Sequence, residues 1–127
     1  MSEAATWVAS TVEAHRRADA AHDDRTRQDA LAALRAIAER ASVPGVTTED
    51  LNETRQDLFG RAAGLALMLD RPADAKQLAE RGLSLDGPAG PFRTQIYFAL
   101  ADSQLALDDA SGAEKTLEDA RRLLRTP

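Results

Sequence analysis

Residues 56–85 read QDLFGRAAGLALMLDRPADAKQLAERGLSL, and residues 94–123 read TQIYFALADSQLALDDASGAEKTLEDARRL. A shift of 38 residues, from position 56 to position 94, aligns the two stretches. The residues that coincide are Ala63 with Ala101, Leu67 with Leu105, Leu69 with Leu107, Asp70 with Asp108, Ala75 with Ala113, Glu80 with Glu118 and Leu85 with Leu123. Each copy predicts an apolar helix, a turn opened by the shared aspartate, and a second helix that starts with a small residue.

This repeated unit resembles the tetratricopeptide repeat. The resemblance rests on an aromatic residue that opens each first helix, a small residue where the helices cross, and an alanine early in the second helix: Phe59 and Tyr97, Ala63 and Ala101, Ala75 and Ala113. The usual period of the family is about 34 residues, and the additional residues fall between the units, at positions 87–91. The resemblance implies an all-α fold in which antiparallel helix hairpins stack as a short right-handed solenoid of about six helices.

Apolar periodicity and capping residues predict the bounds of six helices. We expect helices at residues 2–21, 24–41, 47–69, 72 to 86 or 87, 90 or 91 to 107, and from a cap at Asp109 or Ser111 to about Arg125. The second helix should stop before Pro44 and Gly45, because proline disfavours helical geometry in the residue before it. Short loops between these helices favour three antiparallel hairpins.

The predicted helices form a single domain of tetratricopeptide-like architecture over residues 1–127. Residues 47–87 are the first clear repeat and residues 88–127 the second. Residues 1–46 form an N-terminal helix hairpin, in which Ala30, Leu34 and Ile37 echo the spacing of Ala75, Ala79 and Gly82. This hairpin is either a degenerate repeat or a cap that covers an exposed end.

Composition excludes several classes of function. The chain has no cysteine, and therefore no disulfide framework and no thiol nucleophile, which fits a reducing compartment. Its net charge of −5 disfavours nucleic acid, which would require a basic stripe to release counterions. No apolar run approaches the roughly 20 residues of a membrane span, and residues 1–10 lack the pattern of a signal peptide. We expect a soluble, cytoplasmic protein.

The resemblance implies a binding surface on the concave side, lined by the first helix of each pair. The residues that it places there are Asp57, Gly60, Gly64, Leu67 and Met68 on the third helix, and Gln95, Phe98, Asp102, Leu105 and Ala106 on the fifth. Peptide-binding members of the family carry Lys and Asn at several such positions to clamp a terminal carboxylate. That clamp is absent here, where the positions hold residues such as Gly60, Phe98 and Asp102.

We therefore expect a groove with a smooth floor at Gly60 and Gly64 and adaptable walls at Met68 and Phe98. An apolar or amphipathic helix of a partner protein fits such a groove. Two other occupants remain open from the sequence: the first helix of the same chain, led by Trp7, and a second copy of the domain.

These occupants correspond to different functions. An external protein or peptide partner makes the chain a non-catalytic adaptor, regulatory or scaffold module, or a dedicated chaperone for a client protein. A second copy makes it a self-associating structural homo-oligomer, such as a homodimer.

Catalytic chemistry finds little support in the sequence. One helix face could carry two imidazoles and a carboxylate that would suit a metal, from His15, Asp19 and His22. Three nearby arginines oppose the binding of a cation there: Arg16, Arg17 and Arg25. The pair Asp108 and Asp109 is typical of turn and capping chemistry. No phosphate loop or nucleophile elbow is present in the sequence. We expect no enzymatic activity, no metal and no cofactor.

Overall fold

The computed structural model describes residues 2–86 and 91–125, which form six α-helices and no strand. The helices are α1 (Glu3–Ala20), α2 (Asp24–Ala38), α3 (Thr48–Met68), α4 (Pro72–Leu83), α5 (Pro91–Ala106) and α6 (Ala110–Arg125). The predicted all-α class is confirmed. Residues 87–90 of the predicted linker, and with them the predicted boundary between the repeats, lie outside the described residues.

Helices that follow each other along the chain pack against each other, and α5 packs against both α3 and α4. The main core runs through α2, α3, α4 and α5, and its largest fully buried apolar side chains are Leu34, Leu58, Phe59 and Ile96. This order places α1 at one end of the molecule and α6 at the other.

The turn that joins α3 to α4 has the same backbone geometry as the turn that joins α5 to α6. Asp70 and Asp108 both have a positive φ, of 57° and 61°. The amide of the next residue closes each turn, from Arg71 to the Ala66 carbonyl and from Asp109 to the Gln104 carbonyl, both at 2.8 Å. A residue in the left-handed region followed by this hydrogen bond is a common way to end a helix. The turn predicted from the shared aspartates is therefore present in both copies.

The small residues of the repeat are buried where helices meet. Ala63 and Ala75 are fully buried in the first copy, and Ala101 and Ala113 are 2% exposed in the second. Since a larger side chain would hold the two helices of a hairpin apart, these alanines allow their close approach.

The prediction that α2 extends to residue 41 was wrong by three residues, since α2 ends at Ala38. Arg55 of α3 donates its Nε–H to the Ala38 carbonyl at 2.6 Å, which provides a partner for one carbonyl at the end of the helix. Beyond that point the chain turns inward and buries Val43 in a second, smaller cluster with Trp7 and Leu51.

The prediction that α4 continues to residue 86 or 87 was also wrong, since α4 ends at Leu83. Side chains of α3 and α5 donate hydrogen bonds to the backbone carbonyls at and just beyond the end of α4. Arg93 donates to the carbonyls of Leu83 and Leu85, and Asn52 donates to that of Asp86. These hydrogen bonds replace the helical ones, so the chain leaves the helix early. The other described helix ends lie within one residue of the prediction.

None of the helices in residues 2–86 and 91–125 is both long enough and apolar enough to cross a membrane.

Candidate functional site

Because α3 and α5 pack side by side, the residues predicted to line the concave surface come from neighbouring helices. We call this set the candidate groove; it comprises Asp57, Gly60, Gly64, Leu67, Met68, Gln95, Phe98, Asp102 and Leu105. The structure divides it into residues held by contacts within the chain and residues open to solvent.

Asp57 belongs to the part held within the chain. Its carboxylate accepts hydrogen bonds from His15 of α1 at 2.8 Å and from Arg61 at 3.2 Å, and its side chain is 14% exposed. Arg61 also reaches back to Asp19 of α1 at 3.3 Å. These polar contacts fasten α1 to α3, so Asp57 serves the fold.

His15 is held from both sides of its ring. Its Nε2 contacts the Asp57 carboxylate, and its Nδ1 lies 3.0 Å from the carbonyl oxygen of Thr11. Both partners accept hydrogen bonds, so both contacts are hydrogen bonds only when both ring nitrogens carry a proton.

The two glycines predicted to form the floor have different surroundings. A Cβ added at Gly60 would lie 3.2 Å from Ile96 Cγ1, so Gly60 allows α5 to approach α3 closely. A Cβ added at Gly64 would meet no atom within 4 Å. Gly64 therefore borders open space, whereas Gly60 is covered by α5.

Apolar side chains remain exposed in the open part of the candidate groove. Met68 is 65% exposed, Phe98 is 48% exposed and Leu105 is 54% exposed. Gln95 and Asp102 are exposed beside them on α5, and Leu67 is partly buried against the main core. Phe98 and Leu105 are seven residues apart, so they lie on one side of α5.

Trp7 does not fill the candidate groove. It is buried near the start of α3, where it packs with Val43 and Leu51, with Ile37 and Val46 beside them. α1 reaches the groove residue Asp57 through the His15 hydrogen bond.

The three side chains that were considered as metal ligands have separate partners. His15 contacts Asp57, Asp19 contacts Arg61, and His22 lies beyond the end of α1, next to Asp23. Among the described residues, no group of three or more His, Cys, Asp or Glu side chains is placed to hold a metal ion.

A shallow depression beside the α1–α2 turn is lined partly by Arg16, Arg17 and His22. Glu13 accepts hydrogen bonds from both arginines, at 2.6 and 2.9 Å from Arg16 and at 3.3 Å from Arg17. The hydrogen bonds from Arg16 are the main reason that the pKa of Glu13 falls to about 2. The same contacts raise the pKa of Arg16. The positive charge of the two arginines is thereby offset by their own helix.

Two exposed apolar residues of α6 were not predicted from the sequence. Leu117 is 43% exposed and Leu124 is 66% exposed. Their spacing of seven residues places both on one side of α6. The 38-residue shift contains a signal for Leu117, because it aligns this large residue with the small Ala79. Ala79 is fully buried, so the two copies differ in side-chain size at a position that is packed in the first copy.

Comparisons with protein-family models, with curated proteins and with solved structures gave no match.

Proposed function

We propose that this chain is a non-catalytic protein–protein interaction module of the tetratricopeptide-like type. In this proposal it acts as an adaptor, regulatory or scaffold domain and binds a helix or peptide on the surface formed by α3 and α5. The cysteine-free composition supports the cytoplasm as its compartment.

The repeated geometry supports the tetratricopeptide-like part of the proposal. The two inter-helix turns share their φ angles and hydrogen bonds, and the four small residues of the repeat are buried. α5 packs against both helices of the preceding hairpin, which is how a following unit stacks on an earlier one.

The observation that carries the interaction function is the exposure of Phe98 and Leu105 on one side of α5, with Met68 at the end of the neighbouring α3. Single exposed apolar residues are normal on a soluble protein, but adjacent large ones mark binding surfaces. Met68 and Phe98 also suit a partner that repacks, because methionine adapts its shape and an aromatic ring buries a large area.

Selection of helical peptides against the full chain tests this function. A displayed library of amphipathic helices should yield binders that Met68→Glu/Phe98→Glu no longer retains, since a charge in an apolar interface costs binding energy. Val8→Glu/Val12→Glu is the matched control, because both valines are exposed on α1. Circular dichroism checks that both variants remain helical.

Failure to select any binder would contradict the proposal, as would equal loss of binding in both variants. A dimer of the wild type that Met68→Glu/Phe98→Glu dissociates, with no peptide selected, would favour the self-associating homo-oligomer instead.

A further inference from the structure

Among the described residues, the two helices of the last hairpin carry four large, exposed apolar side chains. Phe98 and Leu105 lie on α5, and Leu117 and Leu124 lie on α6, with exposed fractions of 48%, 54%, 43% and 66%. In each pair the residues are two helical turns apart and share one side of their helix. Because α5 and α6 pack against each other, we define these four residues as the end face.

The internal repeat shows what covers the equivalent surface in the first copy. The 38-residue shift aligns Phe98 with Gly60, Leu105 with Leu67, and Leu117 with Ala79, whereas Leu124 aligns with the exposed Asp86. In the first copy, Gly60 contacts Ile96 of α5, Leu67 is partly buried and Ala79 is fully buried. In the first copy, α5 therefore packs against both α3 and α4, and the position equivalent to Phe98 lies in that contact.

The residues at these positions differ in size between the two copies. Gly60, which admits α5 closely, and the buried Ala79 are replaced by phenylalanine and leucine in the second copy. Large apolar side chains that no described helix covers expose area which a helix would remove from water. In addition, α6 continues to Arg125, four residues beyond the equivalent of Leu83, where α4 ends, and Leu124 lies on this extension.

We propose that the end face binds an amphipathic helix of a partner protein, in the place on α5 and α6 that α5 takes on α3 and α4. This proposal rests on the interaction function proposed above and names where the partner lies and what its chemistry is. α5 itself indicates that chemistry. Its residues Ile96 and Leu100, four positions apart, pack into the core shared with α3 and α4. The partner helix carries aliphatic residues one turn apart, with small residues opposite Phe98 and Leu117.

The test separates the end face from the rest of the candidate groove. The probe is a displayed library of 16-residue amphipathic helices, the length of α5, selected against the full wild-type chain. Leu117→Glu/Leu124→Glu changes only the end face, and Met68→Glu changes only the groove on α3. All three side chains are largely exposed, so both variants should keep their helicity and melting temperature.

We expect Leu117→Glu/Leu124→Glu to weaken the selected peptides at least about tenfold, since each leucine would lose its burial against the peptide. Val8→Glu/Val12→Glu, at exposed positions of α1, should leave their affinity unchanged. Loss of binding in Met68→Glu alone would overturn the end-face proposal while leaving the interaction function intact. Selection of no peptide at all would overturn both. A wild-type dimer that Leu117→Glu/Leu124→Glu dissociates would assign the end face to a second copy of the chain and overturn the partner helix.

Discussion

Gly64 and Gly82 both lie within helices, but their surroundings make opposite demands. An added Cβ at Gly64 meets no atom within 4 Å. An added Cβ at Gly82 would lie 3.0 Å from Ile96 Cδ1 and 3.1 Å from Phe59 Cβ. The end of Ile96 can rotate away, whereas the Phe59 Cβ moves only with the backbone of α3. Gly82 is thus required by packing and Gly64 is not.

We therefore expect Gly64→Ala to raise the free energy of unfolding by about 1 kcal/mol through helix propensity. Gly82→Ala should lower it by about 1 to 3 kcal/mol through overpacking. Urea unfolding followed by circular dichroism measures both changes. Shifts of the same sign in the two variants would show that the contacts between α4, α3 and α5 are placed incorrectly.

Asp23 provides a prediction about pH. Its side chain caps α2 by accepting a hydrogen bond from the Thr26 amide at 2.8 Å, and this bond is the main reason that its pKa is lowered. A carboxyl whose pKa is lower in the folded state stabilises the fold above its unfolded pKa. That contribution is lost as the pH falls through the acidic range.

Asp23→Asn keeps a good capping residue but removes the titration. We expect the variant to lose less stability than the wild type between about pH 5 and pH 2. Urea midpoints measured across this range test the difference. An identical pH dependence in the two proteins would contradict a titrating cap at Asp23.

At the scale of the elements, the two repeated turns give a matched pair of predictions. Asp70 and Asp108 adopt a left-handed conformation that glycine accepts without strain. Both Asp70→Gly and Asp108→Gly should therefore stabilise the protein, by up to about 1 kcal/mol each.

Asp102→Gly is the control for these substitutions, because Asp102 is exposed in the interior of α5 and glycine weakens a helix there. Thermal melts should rise for the two turn variants and fall for the control. A rise at one turn and a fall at the other would show that the two turns are not equivalent.

Element bounds were predictable wherever a local signal determines them. Thr47 caps α3, Pro72 begins α4 and Asp109 caps α6, as the sequence indicates. The ends of α2 and α4 were not predictable, because they depend on Arg55 and Arg93, which reach them from other helices. Such long-range hydrogen bonds leave no periodic trace in the sequence.

At the scale of the whole molecule, the helices follow one another in space from α1 to α6. This order could be predicted from the short loops, which make sequential helices pack against each other. The contacts of individual groove residues could not. A glycine on a helix does not reveal whether a neighbour covers it, as at Gly60, or solvent does, as at Gly64.

The same order leaves the outer side of the last hairpin without a neighbouring helix among the described residues. The two helices of that hairpin carry the exposed residues Phe98, Leu105, Leu117 and Leu124, whereas in the first copy α5 packs against both α3 and α4. The net charge of −5 favours solubility of the chain despite this apolar surface. Exposed apolar area of this kind is consistent with a surface used for binding.

Titration of the isotope-labelled chain with a selected helical peptide tests most directly whether this protein is a helix-binding module. Backbone amide chemical shifts follow the titration residue by residue. We predict saturable changes centred on α5 and α6, around Phe98, Leu105 and Leu117, with α1 and α2 unaffected. Changes confined to α1 and α2, or no change in any amide shift, would contradict the helix-binding function.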